Sequence, residues 1–306
     1  MMCAAGVRLD ETLAAVLPAL AAGEIRPVRF GCWAMRAIEA AGLAVEVSVS
    51  GPWLQVAAQL ADGHVHDAVV PRVAWELGVT NGALPGTAKF VLRPGRKSVE
   101  AVWEVYIDSV AGADPIGQAT LVRELIRRGI GDLAEALNRL RGAGVPATRQ
   151  ADVAVPVDFV ELCAGANWTC HPRADGRVAA PLDVPGIFLQ AMLETAPAPR
   201  AFVDLPVGRA LPGPVRAAVG VLLLEVGGLV RWVRPTVRSQ GEQTIISYEV
   251  PLGASVSGTA LVHALGALSL ACRVAYREAA ALGGSEELAN RYLAIRGLSA
   301  GSSERV

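Results

Sequence analysis

Lysine is almost absent from this 306-residue chain: only Lys89 and Lys97 among its 28 basic residues are lysines, and arginine supplies the rest. The 29 acidic residues balance the basic ones to a net charge of −1, so the chain is not a globally basic nucleic-acid binder. A net charge near zero does not exclude a local basic patch. Charged residues make up 19% of the chain and apolar residues 52%, which excludes wholesale disorder.

Signals for secretion and membrane insertion are also missing from the sequence. The N-terminal residues lack the basic segment followed by an apolar run that opens a secretory leader. The two most apolar stretches, 215–230 and 259–271, contain Glu225 and His263, and neither provides the roughly 20 uncharged residues of a membrane span. The five cysteines are an odd number, which favours a reducing compartment. We therefore expect a cytoplasmic protein that does not contact a membrane.

Catalytic and phosphate-binding motifs are absent as well. The chain has no G-x-S-x-G, no G-x-x-x-x-G-K-[ST] and no strand-coupled G-x-G-x-x-G. Cys163, Cys170 and His171 concentrate nucleophilic and metal-binding side chains, but the cysteines are spaced too widely for a zinc knuckle. We predict no metal, no cofactor and no catalytic residue. The alternative is a small-molecule enzyme with a pocket near Cys163–His171.

Hydrophobic periodicity predicts an α+β protein with mixed or antiparallel sheets, a helical middle layer and C-terminal helices. Short alternating or apolar runs predict strands over 43–50, 68–73, 87–92, 152–160, 229–238 and 243–250. Helical spacing and helix-stop residues predict helices over 10–22, 32–41, 52–61, 184–195, 214–226, 258–282 and 285–295.

Two regions are predicted along the chain. The first, 1–143, is an α/β region with a helical insert at 98–143, in which Val102, Val105 and Tyr106 fall at helical spacing. The second, 151–306, is an α+β region that ends in two helices. Residues 142–150, rich in glycine, proline and polar residues, form the predicted linker. The sequence shows no internal repeat.

Arginine is concentrated between residues 205 and 241, where five arginines accompany a single acid. If 229–238 is a strand, its alternation places Trp232, Arg234 and Arg238 on one face. An aromatic ring between guanidinium groups can stack on bases while the arginines contact phosphates, although a solvated sheet face has the same pattern. The sequence therefore predicts binding of RNA or single-stranded DNA. The predicted binding residues are Trp232, Arg234, Arg238, Arg231, Arg96 and Lys97.

Three colinear segments, together about a tenth of the chain, resemble one known family. Residues 30–37 (FGCWAMRA) place a phenylalanine, a small residue and a cysteine ahead of a predicted helix. Residues 222–235 (LLLEVGGLVRWVRP) join an apolar helix to an Arg-aromatic-Arg-Pro strand, and 248–252 (YEVPL) match the strand after the next turn. The segments are similar to small Cas-eight-like subunits of CRISPR type I-U (I-G) effector complexes, whose Lys-Thr-Trp-Ala-Gly-Gln segment is missing here. The resemblance implies a non-enzymatic subunit that binds crRNA or target DNA alongside other protein subunits.

Overall fold

The computed structural model describes residues 4–60, 69–93, 98–107, 115–140, 157–209, 211–252 and 256–298. The chain divides into two units. The first unit comprises 1–60, 84–89 and 100–146, and the second comprises 61–83, 90–99 and 147–306. Seven α-helices and two antiparallel sheets in the described residues confirm the α+β class with C-terminal helices.

The helices and strands have the following bounds. The helices are α1 (Ala4–Val16), α2 (Val70–Asn81), α3 (Pro115–Leu140), α4 (Phe159–Gly165), α5 (Gly213–Leu229), α6 (Gly258–Gly284) and α7 (Glu286–Ile295), and a 3₁₀ turn (Leu17–Ala19) follows α1. The strands of the first sheet are β1 (Arg26–Arg29), β2 (Cys32–Arg36), β3 (Ala44–Ser50), β4 (Trp53–Gln59), β5 (Ala88–Leu92) and β6 (Val99–Tyr106). The strands of the second sheet are β7 (His171–Pro172), β8 (Val178–Leu182), β9 (Leu189–Glu194), β10 (Arg200–Arg209), β11 (Arg234–Gln240) and β12 (Gln243–Pro251).

The described elements follow one another in the same order twice. The series α1, β1 to β4, α2, β5, β6, α3 is matched by α4, β7 to β10, α5, β11, β12, α6, and α7 is added at the end. The strand order also matches, because the sheets read β1-β2-β3-β4-β6-β5 and β7-β8-β9-β10-β12-β11. The chain thus contains a repeated topology, which the sequence does not reveal.

Side-chain caps fix the beginnings of three helices in the second half of the chain. Ser257 and Ser285 accept hydrogen bonds from the third backbone N–H beyond them, at the starts of α6 and α7. Asp158 accepts from two backbone N–H groups at the start of α4.

Helix α5 is apolar almost all round and is largely buried. The helices predicted over 214–226, 258–282 and 285–295 are therefore confirmed.

One face of the second sheet packs against α6. Val203 on β10 lies opposite Tyr248 on β12, and both side chains are buried. Burial raises the pKa of the Tyr248 hydroxyl above its ordinary value, and the nearby Cys272 of α6 raises that pKa further. Residues that alternate with these, such as Phe202 and Glu249, therefore lie on the opposite face of the sheet.

Each sheet holds a buried ion pair at a corresponding place. In the first unit the Lys89 ammonium lies 2.7 Å from a Glu104 carboxylate oxygen, and both side chains are buried. In the second unit the Arg234 guanidinium pairs in the same way with Glu249. Each pair joins the edge strand to its neighbour, β5 to β6 and β11 to β12. The two copies of the repeated topology therefore also share a buried ion pair between corresponding strands, although burying such charges costs free energy.

Several predicted elements are wrong in type. Strands β2, β4 and β9 lie where helices are predicted over 32–41, 52–61 and 184–195, and β6 replaces the start of the helical insert. Helix α2 lies where a strand is predicted over 68–73. The remainder of the insert includes α3, one continuous helix. For β4 and β6 the reason is burial on both faces. These strands are buried over most of their length, including the polar Gln55, Glu100 and Glu104, so they lack the alternation that identifies a half-exposed strand.

Other predictions hold or fall outside the described residues. The strands predicted over 43–50, 87–92 and 243–250 are confirmed by β3, β5 and β12. The linker predicted at 142–150 and most of the strand predicted over 152–160 lie outside the described residues, and α4 begins at Phe159. The N-terminal helix, predicted from residue 10, begins by Ala4.

Among the described helices, α6 is the one with the length and apolar composition to cross a membrane. Buried helices of water-soluble proteins share this property. Helix α6 packs against β10, α5 and α7.

Candidate nucleic-acid interface

The predicted arginine face begins later in the chain than the sequence indicates. Helix α5 continues to Leu229, and β11 starts only at Arg234, so the strand predicted over 229–238 is wrong in its first half. Trp232 lies in the connecting turn with a φ of 68° and is buried. Its indole therefore does not share an open sheet face with the arginines. Arg231 is exposed in the same turn, whereas Arg96 and Lys97 lie outside the described residues.

Arg234 is held within the protein. Its Nε donates to a carboxylate oxygen of Glu249, and only 9% of its side chain is exposed. Arg200 donates to the other oxygen of the same carboxylate at 3.1 Å. A buried guanidinium already bound to this carboxylate is not placed to meet a phosphate.

Arg238 belongs to a cluster that sequence reasoning missed. The guanidinium carbons of Arg200, Arg177 and Arg238 lie 5.0, 5.6 and 5.9 Å from the centroid of the Phe202 ring. These distances are within the range of cation–π contact. The ring itself is 2% exposed, whereas the three arginine side chains are 31–44% exposed. We call these four residues the Phe202 cluster.

Carboxylates fix the orientation of the arginines in the Phe202 cluster. Arg238 pairs with Asp204, which also accepts a hydrogen bond from the Ser247 hydroxyl at 2.8 Å. Glu194 on β9 lies 3.2 Å from Arg200 and 3.7 Å from Arg177. These acids compensate the arginine charge, so the cluster is pre-organised without being strongly electropositive.

The residue alternation along β10 could have predicted the part of the cluster that lies on this strand. Its sequence alternates Arg200, Phe202 and Asp204 with small or apolar residues that are buried. Such alternation is typical of a sheet with one face on the core and one face toward solvent. Arg177 and Arg238 could not be added from sequence, because they come from strands whose neighbours are set by the tertiary fold.

The structure brings two of the residues proposed for the alternative pocket together. Cys163 on α4 is buried, and burial raises the pKa of its thiol to about 12, with contact from Cys170 as a further cause. His171 is exposed on β7. A thiol with so high a pKa stays protonated at neutral pH and is a poor nucleophile and metal ligand. The described residues hold no group of three or more histidine, cysteine, aspartate and glutamate side chains able to bind a metal.

Cysteine accessibility gives a direct measurement of this arrangement. In the native protein at pH 7.5, we expect iodoacetamide to modify Cys170 before Cys163 or Cys272, because the latter two are buried and their thiols have pKa values of about 12. Peptide mass spectrometry after timed alkylation gives the order, and urea-unfolded protein provides the control in which all three react. Rapid labelling of Cys163 in the native state would contradict the assignment and favour the enzyme alternative.

The Phe202 cluster offers outward-facing guanidinium groups whose inner sides contact an aromatic ring. Such groups donate paired hydrogen bonds to phosphate oxygens and stack on planar bases. Proteins that bind single strands combine these two contacts. The sequence matches no protein-family model and no curated protein, so a proposed function rests on the chemistry of the cluster.

Proposed function

We propose that the protein binds RNA or single-stranded DNA through the Phe202 cluster, as a non-enzymatic subunit of a multiprotein complex. The observation that carries the proposal is the convergence of three partly exposed arginines on one ring, at 5.0–5.9 Å. Arg238 is the member that the sequence had already singled out. The resemblance to small CRISPR effector subunits agrees with this assignment.

The cluster favours a single strand over a duplex. Its arginines come from β8, β10 and β11 or their ends, so they lie side by side across a sheet and not along a helix that could enter a groove. A sheet surface with aromatic and guanidinium groups suits splayed bases and a flexible backbone. Because Glu194 and Asp204 compensate the charge, we expect modest affinity and a modest dependence on salt.

Replacing Arg177 and Arg238 together by alanine tests the proposal. Both side chains are about half-exposed, so the fold should survive. Binding of fluorescein-labelled RNA and DNA single strands of about 16 nucleotides is measured by anisotropy over a range of salt. If each arginine contacts one phosphate, the double variant should bind more weakly and its log–log salt slope should be shallower by about 1.4.

The matched control replaces Arg216 and Arg291, two exposed arginines on α5 and α7, by alanine. The control removes the same charge, and it should bind like the wild type. Equal losses in both double variants would indicate a general charge effect and not a site. Absence of binding by the wild type at low salt would reject the proposed function.

A further inference from the structure

Strand β1 lies at the edge of the first sheet. It pairs with β2 through Arg26–Ala34, Pro27–Trp33 and Arg29–Cys32, and it is the outermost strand in the order of that sheet. An edge strand presents backbone N–H and C=O groups on its outer side, and another extended chain can pair with them. The segment FGCWAMRA, in which a helix is predicted after the phenylalanine, instead forms the turn and second strand of this hairpin.

Strand β1 and the residue that follows it are exposed, including their apolar side chains. All four residues of β1 are exposed, on both faces of the strand. Val28 is 44% exposed and Phe30, which follows the strand, is 91% exposed. Aromatic side chains contribute strongly to interface energetics because of their large apolar area, so an exposed phenylalanine beside an exposed edge strand offers a partner an anchor.

The charged residues within strands β1 and β2 are all basic. They are Arg26, Arg29 and Arg36, and the nearest acids along the chain, Glu24 and Glu39, lie outside the two strands. Arg26 and Arg29 form no ion pair with any residue that the structure describes. The arginines of the Phe202 cluster, in contrast, are paired with carboxylates.

We propose that β1 is the docking edge for an extended, acidic segment of a partner protein, which adds a strand beside β1 and covers Phe30. Backbone pairing provides affinity in such strand addition, and side-chain contacts provide selectivity. The arginines select for acid, since opposite charges attract across neighbouring strands and like charges repel. For the same reason β1 of one copy repels β1 of a second copy. Pro27 lacks an N–H group, which restricts the registers in which a strand can pair.

The test uses a synthetic strand-forming peptide of alternating glutamate and valine, with a lysine–valine peptide of equal length as its counterpart. Fluorescence anisotropy at low salt should detect binding of the acidic peptide and not of the basic one. The variant R26E/R29E should lose at least about tenfold in affinity for the acidic peptide, because two attractive charges become repulsive. Hydrogen exchange at residues 26–29 should slow when the acidic peptide is bound.

Two further variants keep the test decisive. R216E/R291E changes the same charge on exposed helical arginines, and it should bind the acidic peptide like the wild type. Phe30→Ala removes a side chain that is 91% exposed, so it leaves the fold intact and should weaken binding several-fold. Absent binding, equal binding of both peptides, or unchanged affinity in R26E/R29E would overturn the proposal. A dimer of the free protein that R26E/R29E dissociates would assign the edge to a second copy instead.

Discussion

Replacing Lys89 by methionine is expected to lower the free energy of unfolding by roughly 3–5 kcal/mol, the cost typical of breaking a buried ion pair. Lys89 is 1% exposed, and its ammonium lies 2.7 Å from Glu104. Gln55 donates to the other oxygen of the same carboxylate. Methionine fills a similar volume but removes the cation that neutralises the buried carboxylate. Urea unfolding followed by tryptophan fluorescence measures the loss.

The compensating variant separates charge from packing. In Lys89→Met with Glu104→Gln, neither buried side chain is charged, so most of the lost stability should return. Arg209→Met removes an arginine that pairs with Glu242 at the surface, where both side chains are more than 80% exposed, and it should change stability by less than about 0.5 kcal/mol. A single Lys89→Met variant as stable as the wild type would show that the pair contributes no net stability.

Replacing Gly220 by alanine should have the second large effect, a loss of roughly 1–3 kcal/mol or more. A Cβ atom at Gly220 on α5 would lie 2.6 Å from the backbone nitrogen of Trp75 and 2.9 Å from the carbonyl carbon of Ala74, both on α2. Backbone atoms cannot rotate away as a side chain can, so the two helices would have to separate. Thermal and urea unfolding would both report the loss.

Gly266→Ala is the matched control. Gly266 lies inside α6, is exposed, and has no atom within 4 Å of the position that a Cβ would take. Alanine there should stabilise the protein by about 0.5–1 kcal/mol, because glycine is the poorer helix former. The opposite signs of the two substitutions distinguish a close helix contact from the general effect of glycine on a helix. Equal effects of the two would contradict the close approach of α5 and α2.

The elements that could be predicted from sequence are those with an unambiguous local pattern. The alternation of β3 reflects a strand with one buried side, and α5, α6 and α7 are long apolar or capped segments. Strands β4 and β6 could not be identified, because they are buried on both faces and bury the polar Gln55, Glu100 and Glu104. Their sequences therefore show neither polar–apolar alternation nor an unbroken apolar run. In such a segment, helical spacing such as that of Val102, Val105 and Tyr106 arises without a helix.

The candidate site was predictable only in part. Sequence alternation places Arg234 and Arg238 on the same side of a strand, and both lie in β11, four residues apart. It cannot show that Glu249 lies opposite Arg234, or that Asp204 meets Arg238, because cross-strand neighbours depend on the order of strands in the sheet. The burial of Arg234 and the exposure of Arg238 follow from those neighbours. The same limitation hid the repeated topology, since strand order can recur where residues do not.

The assignment of α2 to the second unit has a consequence for any division of the gene. Residues 61–83 and 90–99 belong to the second unit, yet they lie between segments of the first. A cut within 142–150 would leave α2 on the N-terminal fragment, while α5, against which it packs, would stay on the C-terminal one. The C-terminal fragment would then expose the apolar surface around Gly220 and Leu223. The halves of this protein should consequently be produced together in one cell, where each can supply the helix surface that the other lacks.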